Sequence, residues 1–246
     1  MKTSDPSLLL KGLSILLIGP PGGGKTPLAL QFPNPGVIDC DGNLSGPMRW
    51  LMKQGLYKPF KFAKASQKED GSPIELPLVW QNIKDRTDEL LKDTEIDTIL
   101  LDSLTYCDSA IYEHTCRTQG LKELSGFNWQ PYKRELHNYI SKVRASGKTL
   151  IITCHEKIEY DSKGNIEKYI PSISTGIAAY FGYFFSDIWR CTLEDSGGGV
   201  IQQKVRTAGT AQFDAKNSLL FGKELINPTW KLISDALTAT ISPKKV

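Results

Sequence analysis

The chain has no apolar run near the roughly 18 residues that a membrane-crossing helix needs. Its opening residues, MKTSDPSLLLKG, hold only a three-leucine run and no small-residue cleavage pattern. A cytoplasmic protein with no membrane partner is expected. No Cys-x-x-Cys pair occurs either: Cys40, Cys107, Cys116, Cys154 and Cys191 are scattered and odd in number. That spacing excludes a zinc knuckle and argues against a disulfide framework, so each cysteine is expected to pack as a small buried hydrophobe. Histidine is scarce, with His114, His137 and His155 at no metal-ligand spacing. Neither sign of charge is in excess: 30 Lys+Arg against 27 Asp+Glu leave +3 over 246 residues. So small a balance neither demands nor excludes a polyanionic partner. Repeats, low-complexity tracts and linkers are missing too, and one domain over residues 1–246 is expected.

What is present is alternation. Apolar runs of strand length (13–18, 36–40, 60–65, 98–102, 149–154 and 184–191) are separated by helix-period segments (26–31, 76–91, 106–118 and 131–145). This pattern predicts an α/β fold, a mostly parallel twisted sheet flanked by helices. After Cys191 the rhythm changes. The turn-forming Asp195-Ser196-Gly197-Gly198-Gly199 precedes a strand at 200–207, predicting an antiparallel extension, and 230–237 reads as a closing helix. Two stretches, 117–130 and 156–175, read as long loops, and loops of that length in a compact domain usually carry function. The basic run Lys58, Lys61, Lys64 and Lys68 reads as a lysine-protected edge strand.

The strongest motif is Gly19-Pro20-Pro21-Gly22-Gly23-Gly24-Lys25-Thr26, a full G-x-x-x-x-G-K-T followed by Pro27. It sits between an apolar strand and a helical segment, the context a phosphate-binding P-loop requires. Backbone N–H groups freed by glycine curl around a polyphosphate and the helix N-terminus favours its charge. Lys25 is expected on the β- and γ-phosphates of ATP, and Thr26 on Mg²⁺. A second magnesium ligand, a carboxylate, is expected at Asp102, where the apolar strand Ile99-Leu100-Leu101 ends. Ser103 follows it where many ATPases carry a water-activating Glu, so the base must come from another strand end. Ile38-Asp39-Cys40-Asp41-Gly42 offers two candidates. Asp41 would face the γ-phosphate and Asp39 would cap the strand end, with the reverse assignment also open. At a third strand end, His155 is placed to sense phosphate or the attacking water, and Glu156 to pair with a basic group or a neighbouring subunit.

The order of these parts, IDCDG, LLDSLT, LIITCHE and SISTGIAAYFGYFFSDIWRC after the P-loop, resembles the ATPase core of RecA and archaeal RadA over residues 10–225. The core-only arrangement, with CHE after the fourth strand and Arg206, Thr207, Ala215, Lys216 and Asn217 near the end, is similar to the phage-encoded single-strand annealing ATPases of the Sak type. The resemblance implies a RecA-like P-loop fold and puts the water-activating acid at Asp41, although the family more often has Glu there. It matches His155 to a family Gln that couples γ-phosphate to DNA. It also implies DNA-binding loops at 117–130 and 156–175, with Ser174, Thr175 and Gly176 at the end of the second. Finally, it implies a cation reaching a neighbour's γ-phosphate, for which Arg206 is preferred over Lys204 and Lys216. Because the core takes up nearly the whole chain, DNA contact is expected from these loops and from repetition across a homo-oligomer.

The residues bear on this independently. Arg117, Lys122, Lys133 and Arg134 against Glu123 make a local +3, with Phe127, Trp129 and Tyr132 interleaved. Cations that track phosphates beside aromatics that stack bases suit single-stranded DNA. In 156–168, Lys157, Lys163 and Lys168 are outnumbered by four acids, so the first loop is expected to carry more of the attraction. The leading expectation is a DNA-stimulated, oligomeric ATPase that promotes annealing or strand pairing in phage recombination, with a single-strand-binding protein as a conceivable partner. The alternative is an ATP-switched mediator or loader with little turnover. A small-molecule kinase is disfavoured, because no Arg-rich lid is found.

Overall fold

The computed structural model describes residues 11–68, 70–174, 177, 181–218 and 224–241. The strands are β1 (Ser14–Gly19), β2 (Pro35–Asp39), β3 (Lys61–Lys64), β4 (Thr98–Asp102), β5 (Thr149–Tyr160), β6 (Ile166–Pro171), β7 (Asp187–Asp195), β8 (Ile201–Arg206) and β9 (Glu224–Ile226), of which β6 and β9 are not expected from the sequence. The helices are α1 (Lys25–Ala29), α2 (Ser45–Lys53), α3 (Leu76–Lys92), α4 (Leu104–Gln119), α5 (Trp129–Ala145) and α6 (Trp230–Ile241). Strand order across the sheet is β3-β2-β4-β5-β1-β7-β8-β9, with β6 paired to the outer half of β5. The pairings from β3 to β7 are parallel and those of β8 and β9 antiparallel, as the change of rhythm after Cys191 predicts.

Both faces of this sheet are covered, which is why its strands read as unbroken apolar runs. Successive residues of β1 divide between the two cores. Leu16 and Ile18 face the side closed by α3, α4 and α5, among Trp80, Ile111, Tyr132 and Tyr139. Ile15 and Leu17 face the side closed by α1, α2 and α6, among Leu28, Leu51, Ile233 and Trp189. Trp189 is fully buried and its ring lies 6.5 Å from that of Phe32. All five cysteines are free and buried. Among the described residues, no helix is long and apolar enough to cross a membrane.

The parallel register assembles the site. It sets Gly19 level with His155 and Asp39 level with Asp102, so four strand ends open on one edge of the sheet. Several boundaries differ from expectation. The stretch 156–175 is largely a hairpin: β5 runs on to Tyr160 and pairs with β6. Its tight turn is held by the Asp161 carboxylate, which accepts the N–H groups of Lys163 and Asn165, with Gly164 at φ +82°. The 117–130 stretch is shortened from both sides, because α4 continues to Gln119 and a 3₁₀ turn at Gly126–Asn128 leads into α5. Strand β7 begins at Asp187, after a 3₁₀ turn at Phe181–Tyr183. Helix α2 was hidden by Gly46 and Pro47 near its start, although Met48 and Leu51, three apart, both pack on the core. Thr175 and Gly176 lie outside the described residues.

Candidate functional site

The P-loop is shaped by what its glycines allow. Gly22 (φ +76°) and Gly24 (φ +83°) adopt left-handed backbone that disfavours side chains. At Gly23 a Cβ would come within 2.7 Å of the Cys191 carbonyl oxygen of β7, so the loop lies directly against its neighbouring strand. The Gln203 side chain of β8 donates to the Gly24 carbonyl at 2.9 Å and braces the loop from the other side. Lys25 opens α1 and its Nζ donates to the carbonyls of Gly19 (2.9 Å) and Pro20 (2.7 Å). Burial lowers its pKa from the ordinary 10.5, although charges around it, Asp102 included, pull upward. An ammonium held by neutral carbonyls in a partly desolvated loop suits an anionic ligand.

One helical position on, the Thr26 hydroxyl donates to the Asp102 carboxylate at 2.9 Å. The Thr153 hydroxyl donates to the same carboxylate. Asp102 is 5% exposed, and burial, aided by the charges of Asp41 and Asp39, pushes its pKa to about 6. The following peptide bond, Asp102–Ser103, is cis. A buried carboxylate that, among the described residues, receives only hydroxyl hydrogen bonds, with two further carboxylates nearby, fits a cation. Thr26 and Asp102 are hard oxygen donors of the kind Mg²⁺ prefers. When bound, that ion would offset phosphate charge.

The two acids of the second strand separate by environment. Asp39 is 3% exposed and accepts the Gly42 N–H at 2.8 Å, the position of a strand-end cap; burial raises its pKa. Asp41 lines the cleft in front of the P-loop together with Asp102, Ser103, Thr153 and His155. His155 receives a backbone anchor: its N–H donates to the Thr105 hydroxyl at 2.9 Å. Its Nδ1 is buried and has no hydrogen-bond partner in the described structure. Burial, then the Lys25 charge, lowers the imidazole pKa from the ordinary 6.5, with a lesser pull upward from Asp41.

Glu156 pairs with a basic group of its own chain, one of the two roles expected of it, and this takes it away from the catalytic residues. It lies outside the cleft and grips Arg190 of β7 through two hydrogen bonds of 2.7 and 2.8 Å. The Arg190 guanidinium in turn sits 3.7 Å from the ring centre of Tyr169 on β6. Strand alternation explains this, since the residue after His155 points to the opposite face of β5. Arg206 and Lys204 stand on β8 within 4 Å of Glu194 and Glu224, and Lys216 donates to the Phe185 carbonyl at 2.7 Å. The cleft, of about 790 Å³, has apolar walls that no motif announced: Trp50 and Leu56 on one side, Leu193, Ile201 and Pro228 on another. Its volume lies in the range of small-molecule sites, roughly 300–1,000 Å³.

The expected DNA-binding residues are divided by the fold. Lys122 and Arg134 are exposed, as is Arg117, which lies 4.0 Å from Glu75; Lys133 is half-buried. The side chain of Phe127 lies outside what the structure describes. Trp129 is not a free stacking platform. It is half-buried, with ring centres 5.9 Å from Tyr112 and 5.8 Å from Tyr132, because aromatic area is recruited into the core where α5 meets α4. Tyr132 is wholly buried. In the hairpin, Lys163 is exposed, Lys157 is half-buried and donates to the Ile173 carbonyl at 3.4 Å, and Lys168 pairs with Asp214 at 2.6 Å.

No curated protein matches the chain. Among solved structures, the flagellar accessory protein FlaH from Methanocaldococcus jannaschii is similar at 13% identity and a TM-score of 0.44, covering 88% of this chain and 84% of that one. The family model of an AAA domain matches residues 11–219. With that match spanning most of the sequence, and with a P-loop, a buried strand-end Asp102 and a mostly parallel sheet behind them, the chain belongs to the AAA domain family as a nucleotide-binding ATPase domain of RecA-like fold.

Proposed function

We propose that this ATPase hydrolyses Mg-ATP in an oligomer assembled on single-stranded DNA and promotes annealing or strand pairing in recombination, as the likeness to Sak-type phage ATPases implies. One observation carries the DNA reading. Arg117, Lys122 and Arg134 are all exposed around the α4–α5 junction, while the aromatics that the sequence interleaves with them serve to hold that junction in place. Such an arrangement favours a phosphate-tracking grip whose affinity falls steeply with salt. Lys25 binds the triphosphate, Thr26 and Asp102 hold Mg²⁺, Asp41 activates water and His155 faces the γ-phosphate. Arg206 reaches a neighbour's nucleotide once assembly draws it from Glu194 and Glu224.

The second reading, an ATP-switched mediator with little turnover, draws on the Asp41 side chain, which accepts the N–H of Asn43 at 3.3 Å within its own turn. ATPase rate measured against protein concentration, with and without single-stranded DNA, separates the two. The first reading expects a steep rise with concentration and with DNA, lost in Asp41→Ala. A rate indifferent to both, with DNA loading intact in Asp41→Ala, would select the mediator.

A further inference from the structure

Helix α4 begins at the nucleotide cleft, meets the end of the second segment read as DNA-contacting through Asp108, and runs on into the first. Most of its buried residues (Leu104, Cys107, Ala110, Ile111) are apolar, yet Thr105, Asp108 and Tyr112 form one polar stripe at the i, i+3, i+7 spacing of a single helix face. Each stripe residue holds a different part of the chain. Thr105 accepts the His155 N–H at 2.9 Å and lies 3.5 Å from the Cys154 Sγ, at the end of β5 that enters the cleft. Tyr112 accepts the Leu124 N–H at 3.2 Å through its hydroxyl and packs on Trp129, so it holds the junction between α4 and α5.

Asp108 stands between them and divides its carboxylate. Oδ1 accepts the Tyr132 hydroxyl at 2.5 Å, and Oδ2 accepts both the N–H (3.0 Å) and the hydroxyl (2.8 Å) of Ser174. Tyr132 belongs to α5, and Ser174 follows the β5–β6 hairpin. One anionic side chain therefore ties the first turn of α5, just beyond the first segment, to the end of the second, one helical turn from the hydroxyl that anchors His155. Hydrogen bonds to a charged acceptor are short and strong, so movement of either segment is resisted at α4.

We propose that Asp108 is the positioning residue that couples the nucleotide end of α4 to the 120–134 segment and to the hairpin that ends at Ser174. Its DNA-dependent part rests on the reading of those segments given above. A change of arrangement at Tyr132 or Ser174 shifts α4 along its polar stripe and alters how Thr105 holds His155 in the cleft. Asp108 itself touches neither nucleotide nor DNA.

The test uses the full chain in three variants, Asp108→Asn, Tyr132→Phe and Ser174→Ala, each first shown to be folded by its melting transition. ATPase rate is measured with and without an oligothymidylate, whose affinity is followed by fluorescence anisotropy. Backbone hydrogen exchange is followed in 120–130 and 166–174 with and without a non-hydrolysable ATP analogue and Mg²⁺. Asp108→Asn is expected to cut DNA stimulation by about tenfold, within the usual range for coupling between sites. Its oligothymidylate affinity changes less than its stimulation does, and the exchange response of both segments to nucleotide disappears. A purely structural role would lower the melting temperature and leave stimulation and exchange response intact, and that result overturns the proposal. Wild-type protein that ignores oligothymidylate, yet loses its nucleotide-dependent exchange response in Asp108→Asn, would keep the coupling and sink the DNA reading. Absence of any such response in the wild type overturns the coupling.

Discussion

At the scale of single residues, the site depends on close approach and burial. Gly23 shows this most simply, because an added methyl group would meet the Cys191 carbonyl at 2.7 Å, and that atom is backbone in a buried strand. Gly23→Ala is therefore expected to displace the P-loop and weaken ATP binding by about tenfold or more, a loss of roughly 1–3 kcal/mol typical of overpacking. Calorimetric titration with a non-hydrolysable analogue would measure it, and unchanged affinity would mean that β7 yields. His155 gives a pH dependence. Its folded pKa lies below 6.5, so as pH falls through 6.5 the unfolded chain takes up a proton that the folded protein resists. Stability then falls on acidification. Urea midpoints at pH 7 and pH 5 should drop more for the wild type than for His155→Asn, and equal drops would assign the dependence to other groups.

At the scale of elements, the long strand β5 does two jobs that its sequence does not separate. Its inner half is a parallel core strand, and its outer half leaves the sheet to pair with β6. The Glu156–Arg190 pair joins that outer half to β7, with both side chains largely buried. Removing one partner leaves the other charge buried and alone, so Glu156→Ala should cost about 3–5 kcal/mol. That corresponds to a melting temperature lower by about 6–20 °C for a chain of this size. The double variant Glu156→Gln/Arg190→Met should recover much of the loss. If Glu156→Ala melted like the wild type and lost only turnover, Glu156 would belong to the catalytic set after all. Elements whose burial is two-sided, such as β1 and β4, were legible as apolar runs to within a residue. The hairpin was not, because its Lys157, Glu159 and Lys168 look like loop residues until strand pairing places Ile158 opposite Tyr169.

At the scale of the whole molecule, the expected trans cation gives a test that no single chain can pass. Lys25→Ala lacks a working P-loop but keeps Arg206, and Arg206→Ala has the reverse defect. Each alone is expected to lose about 100-fold or more in rate, the scale of a missing charge-stabilising donor. A mixture of the two should recover part of the activity, because one kind of interface pairs an intact P-loop with an intact Arg206. No recovery in mixtures that demonstrably co-assemble would exclude Arg206 as that cation. The sequence by itself determined the layered α/β fold and the phosphate-binding loop. Apolar period and the spacing of Gly19, Gly24, Lys25 and Thr26 are local properties, written within a few residues. Only the tertiary structure decided that Asp41 rather than Asp39 lines the cleft, that Glu156 turns to Arg190, and that Trp129 and Tyr132 are drawn into the core. Those outcomes depend on register and side-chain alternation between strands and helices far apart in the chain, and no local spacing encodes which face a residue will present.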